Sequence, residues 1–157
     1  WEPCSGRSLK RSPVDLMGTR RAARELALQF LFQQEFSADD PEASLSYFWR
    51  ERKVPGRTRQ FAERLIRGVI QKRDEIDRLL SKCADNWNLD RMGTVERNVM
   101  RIALYEMLFC DDIPPIVSIN EAVDITKEFC DRESGQFVNG VLDRALAELT
   151  ARGESER

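Results

Sequence analysis

Residues 95–110 read VERNVMRIALYEMLFC, and this stretch decides the architecture. Val95, Val99, Met100, Ile102, Ala103, Leu104, Tyr105, Met107, Leu108 and Phe109 spread round the whole circumference of a helix. A helix apolar on every side must be surrounded by other elements. No length of the chain alternates apolar and polar residues as a strand does, so those neighbours are expected to be helices. The stretch is predicted as the central strut of an all-α protein. Glu96, Arg101 and Glu106 punctuate it, and a partly buried ion-pair network among them is expected rather than catalysis.

Working outward, residues Thr19 to Phe36 place Ala23, Leu26, Ala27, Phe30 and Leu31 on one helical face. Leu28 and Phe32 follow Arg24 at four-residue steps on a neighbouring face, which is either more core or a docking surface. Asp39-Asp40-Pro41 breaks this helix, and a short helix is expected from Pro41 to about Arg52. After Pro55-Gly56 a long stretch runs from Arg57 towards Cys83, with a bend expected near Lys72-Arg73-Asp74. Residues Asp85 to Gly93 read as a connection anchored by Trp87 and Leu89. Pro114-Pro115 cannot sit in a helix interior and ends the strut. Ser118-Ile119-Asn120-Glu121 spells a capping box and is expected to open the next helix. A last helix is expected after Asp131–Gly135, with Val138, Val141, Leu142, Ala145 and Leu149 in the core and Gly140 at a close helix contact. Seven helices with short links predict a compact bundle. Residues 1–16 read as a flexible leader, 17–152 as one domain and 153–157 as a disordered tail.

A chain of 157 residues suits one domain. Its formal charge of −2 hides a marked asymmetry. Between Arg50 and Arg73 stand Arg50, Arg52, Lys53, Arg57, Arg59, Arg64, Arg67, Lys72 and Arg73, against Glu51 and Glu63. This run either extends a path for an acidic partner or balances acidic neighbours, and the second is preferred for most of it. There is no histidine to act as a general base, and no Gly-rich loop opens a helix as a phosphate cradle. Glu121 and Asp124, three residues apart, read as solvated carboxylates. Cys4, Cys83, Cys110 and Cys130 are widely spaced and offer no zinc pattern. The chain is thus expected to be a binder with reduced thiols, without catalytic residues, metal or cofactor. No apolar run is long enough to span a membrane, and a cytoplasmic location is expected.

Arg20, Arg21 and Arg24 stand at the head of the first helix. A helix N-terminus carries partial positive charge, so exposed cations there cost about 0.3–1 kcal/mol each. The placement suggests an external anion such as RNA, with an ordinary solvated face as the equal alternative.

Three strings carry a resemblance: Arg101-Ile102-Ala103-Leu104-Tyr105-Glu106, Ile119-Asn120-Glu121-Ala122 and Phe137-Val138-Asn139-Gly140-Val141-Leu142-Asp143. Together with Arg20-Arg21-Ala22-Ala23-Arg24-Glu25, their order and spacing resemble the NusB family of bacterial transcription antitermination factors over nearly all of residues 18–150. The resemblance implies an all-helical, non-enzymatic protein that binds boxA-type single-stranded RNA together with NusE, a small-subunit ribosomal protein. It implies entry into an RNA polymerase antitermination complex that supports ribosomal RNA synthesis. By the same resemblance Arg20, Arg21 and Arg24 would contact RNA, with Ala22 standing where the family often has another basic residue. A second RNA-contact region would comprise Glu133, Ser134, Gln136 and Phe137, Gln136 replacing a residue that is basic in some relatives. Phe137 is read equally as a stacking platform, worth about 1–3 kcal/mol per base, or as ordinary core. Phe32, where some relatives carry tyrosine, and Glu96 would face NusE. Two other readings are the helical module of a ribosomal RNA 5-methylcytosine methyltransferase and a self-associating homodimer.

Overall fold

The computed structural model describes residues 19–84 and 92–156. Among them are seven helices: α1 (Thr19–Glu35), α2 (Pro41–Arg50), α3 (Gly56–Gln71), α4 (Arg73–Cys83), α5 (Thr94–Phe109), α6 (Pro115–Phe129) and α7 (Arg132–Glu156). The all-α bundle expected from residues 95–110 is what the chain builds. The expected leader, and the anchors Trp87 and Leu89, lie outside the described residues.

α5 is the strut. It packs against α1, α3, α4, α6 and α7, so Val95, Met100 and Leu104 are fully enclosed. Leu28 of α1, Leu65 and Ile66 of α3, Ile76 and Leu80 of α4, Ile119 of α6 and Leu142 of α7 close round it. Each such side chain contributes roughly 1.5–3 kcal/mol by leaving water. α1 and α5 run antiparallel: Arg24 meets Glu106 at one end and Glu35 meets Arg97 at the other. The long stretch after Pro55 does break where expected, α3 ending at Gln71 and α4 starting at Arg73. Leu28 belongs to the core, whereas Phe32 is only partly covered.

Several local expectations are corrected. α6 opens at Pro115, with Pro114 in an extended conformation before it. Proline at the first helical position has no N–H to lose and a φ already suited to the helix. Ser118 therefore lies inside α6, buried, and its hydroxyl donates to Glu106 Oε1 at 2.8 Å instead of capping. α7 opens at Arg132 rather than after Gly135, because Asp131 Oδ1 accepts the Ser134 amide N–H at 2.7 Å in the manner of an N-cap. Gly140 is exposed, with open space where a Cβ would stand. The close helix contact is at Gly68 instead, where a Cβ would come within 2.0 Å of the Tyr105 ring.

Glu96, Arg101 and Glu106 do not join one another. Arg101 binds Asp77 of α4 through two nitrogens, at 2.8 and 3.0 Å, and reaches Glu35 at 3.1 Å. Glu106 turns to α1 and Glu96 to α7. Their spacing places them on different sides of α5, so each meets a different helix. The expectation of reduced thiols holds for Cys83 and Cys110, which are free and buried, burial pushing both above their ordinary range, and is corrected for Cys130, which is disulfide-bonded. No helix among the described residues is long and apolar enough to cross a membrane.

Candidate nucleic-acid interface

The head of α1 has no acidic residue in its first turn, yet its arginines are not waiting for an anion. The protein supplies its own. Arg20 is half-exposed and donates from Nη2 to Asp112 Oδ2 at 3.3 Å, with its guanidinium 4.9 Å from the centre of the Phe61 ring. Arg21 grips Glu121 of α6 through Nε at 2.8 Å and through Nη2, which also reaches Asp124 at 3.1 Å. Burial alone would lower the Arg21 pKa, but Glu121 and Asp124 more than offset it and leave the group above its ordinary value. The solvated-carboxylate expectation is corrected for Glu121, which is largely covered, and holds for Asp124, which stays exposed while reaching Arg21.

Arg24 lies deepest. It is 3% exposed, and its Nε and Nη2 donate to both oxygens of Glu106 at 2.8 and 2.7 Å. Nη1 takes up Glu121 at 3.1 Å. Charge-assisted bidentate bonds of this kind are the strong ones. A phosphate could reach Arg24 only by displacing a buried carboxylate, so its place in the structure is that of a strut beneath Arg20 and Arg21. Ala22 is buried as well, so the interruption in the basic motif falls at a packing position.

The second group sits elsewhere. Glu133 and Gln136 are exposed at the start of α7, while Phe137 is half-buried against the core. Ser134 donates its hydroxyl to Glu96 Oε1 at 3.3 Å. Glu96 stands near the start of α5 and Glu106 near its end, so the two groups are separated by about 15 Å along that helix at 1.5 Å per residue. α6 spans the interval, carrying Glu121 and Asp124 beside the arginines and leading at its far end into α7. The structure thus gathers Arg20, Arg21 and Arg24, and separately gathers Glu96 and Ser134.

The Glu35–Arg97 pair, 2.9 Å, draws the ends of α1 and α5 that bear Phe32 and Glu96 side by side. Phe32 stacks at a tilt on Phe36, ring centres 5.4 Å apart, and Phe36 is 72% exposed. Phe36 was not singled out in the sequence, although it continues the four-residue step from Leu28 and Phe32. Part of the basic run is internally balanced: Arg59 pairs with Glu63, Arg67 with Glu42 and Glu63, Arg73 with Glu35 and Asp77. Arg64 goes to Asp112, which no sequence pattern linked to it. No cluster of potential metal ligands occurs among the described residues.

Comparison with known proteins adds the relationship. Residues 21–147 match the NusB family. A transcription antitermination protein NusB from Desulfatibacillum aliphaticivorans is 48% identical over 141 residues, covering 90% of this chain and 99% of that one. Another NusB, from Desulforapulum autotrophicum, is 47% identical, covering 89% and 100%. Among solved structures, T. maritima NusB superposes with a TM-score of 0.75 at 38% identity, covering 88% of this chain and 94% of that one. A complex of the antitermination factors NusB and NusE with double-stranded RNA matches with a TM-score of 0.74 at 28% identity, covering 82% and 96%.

Proposed function

The chain belongs to the NusB family, and from that premise we propose that it is a transcription antitermination factor that binds RNA together with NusE. The observation that carries this is the family match across residues 21–147, joined to full-length likeness to NusB relatives. The arginine head does not carry it alone, because its charge is met by internal carboxylates. The RNA is a boxA-type single strand, and the bound pair joins an RNA polymerase antitermination complex that supports ribosomal RNA synthesis. The protein works by attachment rather than catalysis, in the cytoplasm.

Arg20 and Arg21 contact the RNA, with Arg24 holding the head of α1 in place from below. Cations that neutralise phosphates release counterions, which gives affinity with a strong salt dependence. Glu133, Ser134, Gln136 and Phe137 form a second contact at the other end of α6. Phe137, only half-buried, supplies an aromatic ring against which an unpaired base stacks. Phe32, Glu96 and the exposed Phe36 form the NusE side, where an apolar surface supports a protein contact.

Fluorescence anisotropy with a labelled boxA-type single strand and with its duplex, each with and without NusE, tests the proposal. The single strand with NusE should bind tightest, and Arg20→Ala with Arg21→Ala should flatten the salt dependence. Equal affinity for a scrambled RNA of the same length, in the presence of NusE, would refute boxA recognition. Light scattering on the same mixtures decides the homodimer reading: a dimer persisting unchanged in the ternary mixture would favour self-association over the pair with NusE.

A further inference from the structure

The ion pairs at the head of α1 are of two kinds. Arg21 and Arg24 together meet three carboxylates, Glu106, Glu121 and Asp124, and this inner cluster has no positive charge to spare. Arg20 instead shares Asp112 with a fourth arginine, Arg64 of α3. Arg64 Nη1 and Nη2 donate to the two oxygens of Asp112 at 3.2 and 2.8 Å, and Arg20 Nη2 donates to one of them at 3.3 Å. Two guanidiniums on one carboxylate leave an excess positive charge. Asp111, next along the chain, forms no ion pair with either among the described residues.

The triad is open to water: the side chains of Arg20, Arg64 and Asp112 are 50%, 40% and 48% exposed. Exposed ion pairs contribute little to folding, so stability alone does not account for the arrangement. Both cations also lie near one ring, Phe61, with centroid distances of 4.9 Å for Arg20 and 6.0 Å for Arg64. The ring and the carboxylate together hold two guanidiniums from different helices close to one point. Each guanidinium has five N–H donors. Asp112 engages one nitrogen of Arg20 and two of Arg64, which leaves donors on both for a second anion. Arg59 and Arg67, on the same helix, share Glu63 and Glu42 at one carboxylate per cation and have no such excess.

We propose that Arg20 and Arg64 form a two-arginine clamp for one phosphate of the RNA backbone, spaced by Asp112. The proposal rests on the RNA-binding function given above and extends that surface from α1 to α3. The clamp reads no base, so it sets the register of the strand rather than its sequence.

The test follows the affinity of the full chain, with NusE, for a fluorescein-labelled boxA-type single strand across a salt titration. Loss of one phosphate contact reduces the log–log salt slope by about 0.7, which at about 0.1 M salt corresponds to roughly five-fold weaker binding. Arg64→Ala and Arg20→Ala should each show this loss. Arg64→Lys, which keeps the charge, should retain most of the slope. Arg59→Ala, the same charge change on the same helix, should change neither quantity; an equal loss there would assign the effect to net charge and overturn the clamp. If Arg20→Ala flattens the slope while Arg64→Ala leaves it intact, the clamp is wrong and the RNA-binding surface stands. If neither changes the slope, the surface itself is wrongly placed. Unchanged thermal unfolding of Arg64→Ala confirms that any loss is one of binding.

Discussion

Arg24 shows how one residue type can be right and its partner wrong. Three cations at a helix head ask for anions, and the folded chain answers with Glu106, Glu121, Asp124 and Asp112. Glu106 is 1% exposed. Removing Arg24 would leave a buried carboxylate with Ser118 as its remaining partner, and breaking such a pair typically costs about 3–5 kcal/mol. Arg24→Ala should therefore lower stability in urea by that amount, before any effect on RNA is considered. A loss well under about 1 kcal/mol would show that the pair is not closed in solution. Asp112 makes the opposite kind of pair. The hydrogen bonds from Arg64, against a small opposing effect of desolvation, hold its pKa down to about 2 from 3.8. Solvent screening keeps the stabilisation from this exposed pair small; what there is of it is present above the ordinary aspartate range and disappears as pH falls through about 2. Carboxyl NMR should find Asp112 titrating near pH 2, and Arg64→Ala should return it towards 3.8.

At the scale of the helices, the breaks were legible and the starts were not always. The α3–α4 break at Lys72 could be read from the charged triplet there, and the Pro55-Gly56 break from its composition. The string Ser118-Ile119-Asn120-Glu121 satisfied the rule for a helix start, yet the Ser118 and Glu121 side chains that would form the box had better partners in space. Ser118 went to Glu106, and Glu121 went to Arg21 and Arg24. Glycine positions were similarly opaque, because a close approach depends on what the neighbouring helix presents. Gly68 accommodates the Tyr105 ring where α3 crosses α5. Gly68→Ala should destabilise by about 1–3 kcal/mol, the usual cost of overpacking, as measured by urea or thermal melts. Adding Tyr105→Leu should recover part of that loss, since it withdraws the atoms that collide. Gly140→Ala faces open space and should be neutral or slightly stabilising in mid-helix.

For the molecule as a whole, α5 is the element on which most others depend. Five helices pack on it, and its ends are tied to α1 by two ion pairs and to α4 by Arg101 and Asp77. A core shared in this way cannot open by halves. Unfolding in urea followed by far-ultraviolet and near-ultraviolet circular dichroism should give coincident transitions, as for a two-state domain. Separate midpoints would show that α2, which docks on α1, or another helix melts independently. The same arrangement sets out the binding surfaces: the arginine head, the start of α7 and the end of α1 sit at distinct points round one rigid strut.

The sequence by itself determined the all-helical class, the central helix and the family, because these depend on periodicity and on strings of neighbouring residues. It also held the basic run between Arg50 and Arg73, and the preference for internal balance was sound for Arg59, Arg67 and Arg73. Only the tertiary structure decided which carboxylate each arginine meets. Arg64 and Asp112 are 48 residues apart in the chain and Arg24 and Glu106 are 82 apart, and no local pattern encodes such pairings. Charge acts through space, at distances of a few ångströms, between helices whose relative placement is set by apolar packing.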